Sequence, residues 1–464
     1  MAPTGRGGRR NTHRRNNPTS SSPITTSTPL PPALIIKILT HIDPKSLARL
    51  KCISKSWYAL ITHPLFIKKH LHINTLSINT HVICNAYNTR YRNTRDFIRD
   101  SDTNRNCNKV VSLLRLDKMP VRLVELENGV IKGSCDFSKG ISFGEFSKKM
   151  VLAGSVNGVV LVMNLGELNE RFVGLWNPGI NRWKVVKIGR ERGCGDDRTC
   201  SAYGLGYDEG NDDIRIIRIV TAYVSRAEFF AKCKRAWVKI YSVNRGCWED
   251  VDGEFSFWPS QCHCQFIVKR VPYFVGDDVM PDDPRSNQQN YILAGIDPCT
   301  GLYKKVHYPE HFRGDTWVKP FEYQNSVAAI VQCTPGALEE HKIDMYVLDD
   351  GNTSWIKMYS IGPFPYLEFH QPQQSFKTGL IVLEELIENN RGPCLYDPKT
   401  DLVTLLIGID NLEPNWSQSY GHSESLVTIE GMELITKDKN KKTKPKKVNR
   451  TELLSKDFES ALHL

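Results

Sequence analysis

Three groups of residues in this 464-residue chain have side chains suited to chemistry. Cys262-His263-Cys264 offers metal ligands, but adjacent side chains on one strand point to opposite faces, and no C-x-x-C pair lies nearby to complete a tetrahedral set. The carboxylate pairs Asp196-Asp197, Asp212-Asp213 and Asp349-Asp350 suggest acid and base partners, yet such pairs at turns are expected to be solvated loop residues. Gly204-Leu205-Gly206 does not continue into a dinucleotide fingerprint and falls between strand patterns rather than before a helix. There is no phosphate-binding G-x-x-x-x-G-K-[ST] and no H-E-x-x-H. No cysteine has an evident His or basic partner fixed beside it that would make it a nucleophile. The expectation is a chain without catalytic residues, metal or cofactor, whose work is binding.

The elements that would do the binding begin at Leu30. Leu34, Ile35, Ile38, Leu39 and Ile42 follow the i, i+1, i+4, i+5, i+8 spacing of a broad apolar helical face, with Pro31 and Pro32 suited to the helix start. Asp43 is placed to cap a second helix that opens at Pro44 and carries Leu47 and Leu50. Ser54 caps a third, with Trp57, Leu60 and Ile61 on one face, and Pro64 opens a short fourth with Phe66, Ile67 and Leu71. A segment of about 40 residues cannot enclose a core that offsets its own ordering entropy, so its apolar faces must be covered by the rest of the chain or by a partner.

The stretch Leu30 to Leu71 resembles an F-box. The resemblance rests on Leu30-Pro31, on Ile38-Leu39, on the turn Asp43-Pro44-Lys45-Ser46-Leu47, and above all on Arg49-Leu50-Lys51-Cys52-Ile53-Ser54-Lys55-Ser56-Trp57, which is similar to the family's R-x-K-C-V-S-K-x-W. It implies docking on the Skp-type adaptor of a cullin ubiquitin ligase. The matching contact positions are Leu30, Pro31, Ile35, Ile38, Leu39, Leu47, Cys52, Ser54 and Trp57, with Leu39 and Trp57 as expected anchors. One departure puts adaptor affinity in doubt: the family's acidic residues in the first helix are replaced here by Ala33 and Lys37.

From about residue 110 to residue 430 short strand patterns alternate with turns, and a unit repeats. An apolar residue, an Asp- or Asn-type turn and a second large apolar residue seven positions on recur as Trp176 to Trp183, Tyr241 to Trp248, Ile296 to Tyr303, Leu348 to Trp355 and Tyr396 to Val403. A weaker sixth copy runs from Leu116 to Leu123. Asp or Asn bonds its own backbone two residues on, so the flanking residues are expected to face each other across hairpins. The copies start 60, 65, 55, 52 and 48 residues apart, which brackets a kelch-type period of about 50. The expected fold class is α+β: a small N-terminal helical module followed by a large all-β, kelch-like β-propeller of about six blades, a β-sandwich being the alternative. The three tryptophans Trp183, Trp248 and Trp355 are expected in the blade core.

Within this region Gly154 to Val160 (GSVNGVV), Leu175-Trp176-Asn177-Pro178, Tyr203 to Asp208 (YGLGYD) and Ile214 to Ile219 resemble, in order and spacing, the F-box-associated interaction domain of plant F-box proteins. Glu424-Ser425-Leu426-Val427 resembles that family's last strand. The resemblance implies capture of a protein destined for ubiquitination. The organisation expected is a basic tail over 1–29, the F-box over 30–71, a connecting region over 72–109, the associated β domain over 110–430 and a basic tail over 431–464.

The formal charge of +10 sits at the ends. Residues 1–29 hold five arginines and no acid, and residues 437–450 hold seven lysines and Arg450 against Asp438, so the remainder is about −2. That distribution argues against a nucleic-acid-binding face on the folded region, though a propeller scaffold binding nucleic acid or ribonucleoprotein through its tails is the alternative function. A propeller enzyme with its site at the channel mouth is another, which sequence alone does not test. Thirteen scattered cysteines without an apolar leader suit reduced thiols, in the nucleus and/or cytoplasm, and no membrane span is expected. The function expected is a non-catalytic substrate receptor: Skp-type adaptor and, through it, cullin and RING subunit on one side, an unknown target protein on the other.

Overall fold

The computed structural model describes residues 30–76, 80–87, 121–127, 130–136, 150–164, 172–189, 198–223, 235–253, 255–278, 291–309, 312, 316–333, 341–349, 354–364, 371–375, 379–387, 390–405 and 415–435. The basic tail over 1–29, residues 436–464 of the other tail, the arginine-rich stretch after residue 87 and the sixth repeat start at Leu116 lie outside them.

Four helices come first: α1 Pro32–Leu39, α2 Pro44–Leu50, α3 Lys55–Thr62 and α4 Pro64–Leu76. Their starts are where the capping residues put them. Asp43 accepts from the Ser46 amide at 2.8 Å and Ser54 from the Trp57 amide at 3.2 Å, each satisfying a backbone donor that the helix leaves open. The fourth helix has 13 residues rather than one short turn. Its extra length is held by the β region, where Asn74 donates to the Glu424 carbonyl at 3.1 Å.

Twenty-six strands form six antiparallel sheets among the described residues. The first sheet has β1 Thr80–Tyr87, β2 Val121–Glu127 and β3 Val130–Asp136. The second has β4 Met150–Val156, β5 Val159–Asn164, β6 Phe172–Asn177 and β7 Arg182–Lys187; the third has β8 Arg198–Asp208, β9 Asp213–Tyr223, β10 Arg235–Ser242 and β11 Cys247–Asp250. The fourth has β12 Phe257–Pro259, β13 Phe266–Val268, β14 Val271–Asp278, β15 Tyr291–Ile296 and β16 Tyr303–His307. The fifth has β17 Thr316–Tyr323, β18 Ser326–Cys333, β19 His341–Leu348 and β20 Trp355–Phe364; the sixth has β21 Gln371–Ser375, β22 Ile381–Ile387, β23 Asn390–Asp397 and β24 Leu402–Leu405. The chain then returns: β25 Asn415–His422 pairs with β1, and β26 Glu433–Leu434 pairs with β7.

Strand β1 lies in the stretch expected to connect, and β26 in the stretch expected to be tail, so residues 80–87 and 433–434 join the sheets. Six separate sheets also differ from the two facing sheets of a sandwich.

All five repeat pairs are cross-strand partners: Trp176 with Trp183, Tyr241 with Trp248, Ile296 with Tyr303, Leu348 with Trp355 and Tyr396 with Val403. They close the outer hairpin of the second to sixth sheets. The repeated tryptophan also ties sheets together. Trp248 Nε1 donates to the Lys187 carbonyl at the end of β7 at 2.9 Å, and Trp355 Nε1 donates to the His307 carbonyl at the end of β16 at 3.0 Å. Successive sheets meet through their strands: β4 lies against β8, β8 against β14, β13 against β17, β17 against β21, β21 against β25, and β25 against β4.

Candidate docking face and its joint with the sheets

The apolar face of α1 divides. Ile36 and Leu39 turn inward with Leu47, Leu60, Ile61 and Phe66 into one buried cluster, and Ile35, Trp57 and Ile42 pack partly buried against it. Leu34 and Ile38, one helical turn apart, face outward and are 41% and 48% exposed, and Leu30, which precedes the helix, is 55% exposed. Ile53 and Tyr58 are exposed as well.

Of the nine positions singled out by sequence, Leu30, Pro31, Ile38, Cys52 and Ser54 are exposed, Ile35 and Trp57 are half-buried, and Leu39 and Leu47 are closed off in the core. Ser54 also has its hydroxyl engaged as the α3 cap. Leu39 therefore supports the fold of the free chain, and the exposed groups not among the nine positions are Leu34, Ile53 and Tyr58. The signal was present in the spacing: residues at i and i+1 of a helix differ by about 100°, so Leu34 and Ile35 cannot both face one neighbour squarely.

The helical cluster is completed by two residues from far along the chain, Ile180 and Leu426. Leu426 lies in a non-strand run, residues 423–429, between β25 and β26, and two of the segments that carried the interaction-domain resemblance meet it. Asn177 Nδ2 donates to the carbonyls of Ser425 at 3.1 Å and Val427 at 2.8 Å, while Ser425 Oγ donates to the Asn157 carbonyl at 2.7 Å. Asn157 and Gly158 form the β4–β5 turn with φ of 52° and 76°, left-handed values that favour Asn-Gly. A Cβ on Gly158 would stand 2.2 Å from Ser425 Oγ, so the close approach needs glycine. On the other side of the joint, a Cβ on Gly179 would lie 3.4 Å from the Pro44 ring. Expected as a last strand, Glu424-Ser425-Leu426-Val427 is instead a non-strand strap wedged between helices and sheet.

A second tie joins α4 to the third sheet, where Lys68 pairs with Asp212 at the β8–β9 turn. The expectation for the Asp212-Asp213 pair holds for only half of it. Asp213 is buried, accepting from Ser242 Oγ at 2.5 Å and the Asn244 amide at 2.9 Å and facing Arg215 Nε at 3.1 Å. Burial opposes ionisation of its neighbour Asp208, but hydrogen bonds from Asn211 and Arg215 outweigh it and hold that carboxyl at about 2. These carboxylates are structural, because their lone pairs are used in tying the turn.

Cys262-His263-Cys264 also has a packing role. The Cys264 carbonyl accepts from Tyr420 at 2.6 Å and from His263 Nδ1 at 2.8 Å, which fixes the protonated ring nitrogen. Burial lowers His263 to about 4 and pushes the Cys264 thiol up to about 12. Among the described residues no three His, Cys, Asp or Glu gather as a metal site, and no helix is long and apolar enough to cross a membrane. One motif was missed in sequence: Gly140-Ile141-Ser142-Phe143-Gly144 has the G-x-S-x-G spacing of a nucleophile elbow, which requires a strand–turn–helix setting, and it lies outside the described residues.

The helical module thus presents exposed apolar residues on one side and is joined to the β region on the other by the strap and by Lys68–Asp212. Comparison with known proteins agrees with the helical part. Residues 29–69 match the F-box domain family. F-box/WD-40 repeat-containing protein 1 of Arabidopsis thaliana is 25% identical over 348 residues, covering 72% of this chain and 68% of that protein. F-box protein CPR1 of Arabidopsis thaliana is 23% identical over 345 residues, covering 72% and 73% respectively. A solved structure, Kuenenia stuttgartiensis hydrazine synthase, covers 75% of this chain and 47% of its own at 6% identity with a TM-score of 0.41, too low to bear on the fold. Residues 29–69 are an F-box domain, and the chain's relatives include Arabidopsis F-box proteins.

Proposed function

We propose that this chain is a non-catalytic substrate receptor of a cullin-based ubiquitin ligase. Its F-box docks on a Skp-type adaptor, and through it on cullin and RING subunit; its β region, a six-bladed propeller of the F-box-associated kind, holds a target protein. The observation that carries the reading is the outward apolar pair Leu34 and Ile38 of α1, with exposed Leu30 ahead of it, on an F-box whose other face is already filled by the chain's own Ile180 and Leu426. One face of the module is left for a partner. The propeller is supported by the succession of sheet neighbours, which returns from the sixth sheet to the first, and by the pairing of β25 with β1, which joins late and early strands in one blade.

Ubiquitin transfer accelerates in this scheme because the target is kept at high local concentration in a fixed orientation. The strap and the Lys68–Asp212 tie set that orientation, since they fix the F-box on the second and third sheets. Co-purification of the tagged chain with a Skp-type adaptor, with and without Ile38→Asp, tests the reading. The intact chain is expected to retain the adaptor and the variant to lose it while keeping its circular dichroism. Failure of the intact chain to bind refutes it.

A further inference from the structure

The fourth sheet carries a row of three side chains, Trp258 of β12, Asp277 of β14 and Tyr291 of β15. Trp258 and Tyr291 are the cross-strand partners of Asp277, one on each side of it. Directly opposed residues of antiparallel strands project to the same face with Cβ atoms about 5 Å apart, so two aromatic residues flank one carboxylate. Val275 and Leu293, the next pair on that face, belong to a hydrophobic cluster, so the row stands at the end of an apolar floor.

Asp277 Oδ1 is shielded from solvent and has no hydrogen-bond partner among the described residues, although the residue as a whole is half-buried. Burial raises its carboxyl above the ordinary value, and burial together with the Asp277 charge raises the Tyr291 hydroxyl. The adjacent Asp278, on the opposite face of the strand, shows the contrast, since Lys305 Nζ lies 2.6 Å from its Oδ1. Tyr291 is 46% exposed, so the row opens to the outside. A carboxylate flanked by Trp and Tyr is complemented by an organic cation, which gains a charge-assisted hydrogen bond to the oxygen and attraction to the rings. A charge held half-buried without a partner destabilises the free protein, and a cationic guest removes that cost.

The place suits a guest on a large partner. β14 starts beside Arg270, which lies over the Tyr207 ring at 4.8 Å, and Tyr207 donates to Asp212, the residue that ties Lys68 of the F-box. Asp277 is six residues beyond Val271, about 20 Å further along the strand and away from that tie.

We propose that Trp258, Asp277 and Tyr291 form a recognition site for a lysine or arginine side chain of the target protein, an assignment that rests on the receptor reading above for the source of that side chain. Asp277 takes the cationic head, and the two aromatic residues cover its apolar stem.

The test uses the full chain labelled with fluorotryptophan, the Trp258 fluorine resonance being assigned from Trp258→Phe. N-acetyl-arginine methylamide and N-acetyl-lysine methylamide are titrated in, with the neutral N-acetyl-citrulline methylamide as a control of similar shape. Both cations are expected to shift the Trp258 resonance saturably with Kd on the order of millimolar, and binding is expected to be at least about tenfold weaker for citrulline and in Asp277→Asn. Asp277→Asn is also expected to keep or raise the thermal midpoint, because it removes an unpaired half-buried charge. No saturable shift, equal binding of citrulline, unchanged affinity in Asp277→Asn, or a lowered thermal midpoint in that variant overturns the proposal. The adaptor titration separates the two readings. Adaptor binding without a response to the cations leaves the ligase reading and removes this site, whereas a cation response in a chain that binds no adaptor keeps the site and removes the ligase as its setting.

Discussion

Asn177 and Val427 are 250 residues apart in sequence, yet the Asn177 side-chain amide donates to the Val427 carbonyl at 2.8 Å. The same amide serves the Ser425 carbonyl at 3.1 Å, and Asn177 is fully buried. One side chain therefore satisfies two acceptors of a strap that has no strand partner of its own. That strap carries Leu426 into the F-box core.

Asn177→Ala is expected to leave the carbonyls of buried Ser425 and half-buried Val427 without this donor and to destabilise the protein by about 1–3 kcal/mol. Chemical denaturation measures it. The joint should open first, so hydrogen exchange at α4 is expected to rise before that at β9. A loss too small to detect would mean that the strap is held by something other than this amide.

Leu39 and Ile38 are neighbours with opposite surroundings, 1% and 48% exposed. Leu39→Ala is expected to cost about 2–5 kcal/mol, as buried large-to-small changes do. Ile38→Ala is expected to stay within about 0.5 kcal/mol of the parent in thermal unfolding. The reverse ranking would overturn the division of the α1 face.

How much of this was legible in sequence follows from the range of the forces involved. Asp43 and Ser54 announced their helices because capping acts within three residues, and the five hairpins were readable because Asp, Asn and Pro shape the turn between partners seven residues apart. The strap was not. Its partners are more than 240 residues away, and Glu424-Ser425-Leu426-Val427 has the composition of a strand, so only tertiary contact distinguishes the two. The split of α1 into Leu39 inside and Ile38 outside was hidden for the same reason, since which half of a wide apolar face is covered depends on Ile180 and Leu426. Buried Asp213 looked like a turn carboxylate because Ser242 and Asn244, which use its oxygens, lie on another strand and turn.

The tryptophan ties between sheets predict parallel effects. Trp248→Phe and Trp355→Phe keep most of the ring but remove the donors to Lys187 and His307, and each is expected to cost about 1 kcal/mol in denaturant unfolding. The sites share no partner, so the double variant should show the sum within about 0.5 kcal/mol. A cost at only one of them would break the equivalence of the repeats.

His263 predicts an acid-sensitive stability. Burial lowers it to about 4, so as pH falls the unfolded chain takes up the proton first. The stabilisation is complete above about pH 6.5, the ordinary value, and is lost progressively as pH falls toward 4, by about 3 kcal/mol in all. His263→Asn is expected to flatten the stability profile between those values, measured by denaturant titration at several pH. An unaltered slope would assign the effect to another group.

The most direct measurement is the affinity of the full chain for a purified Skp-type adaptor, by calorimetry, for the parent, Ile38→Asp and Leu34→Asp. The expected result is binding by the parent and at least about tenfold weaker binding by each variant at unchanged thermal stability. Equal affinities across the three, or no binding by the parent, would contradict the assignment of the α1 stripe as the docking face.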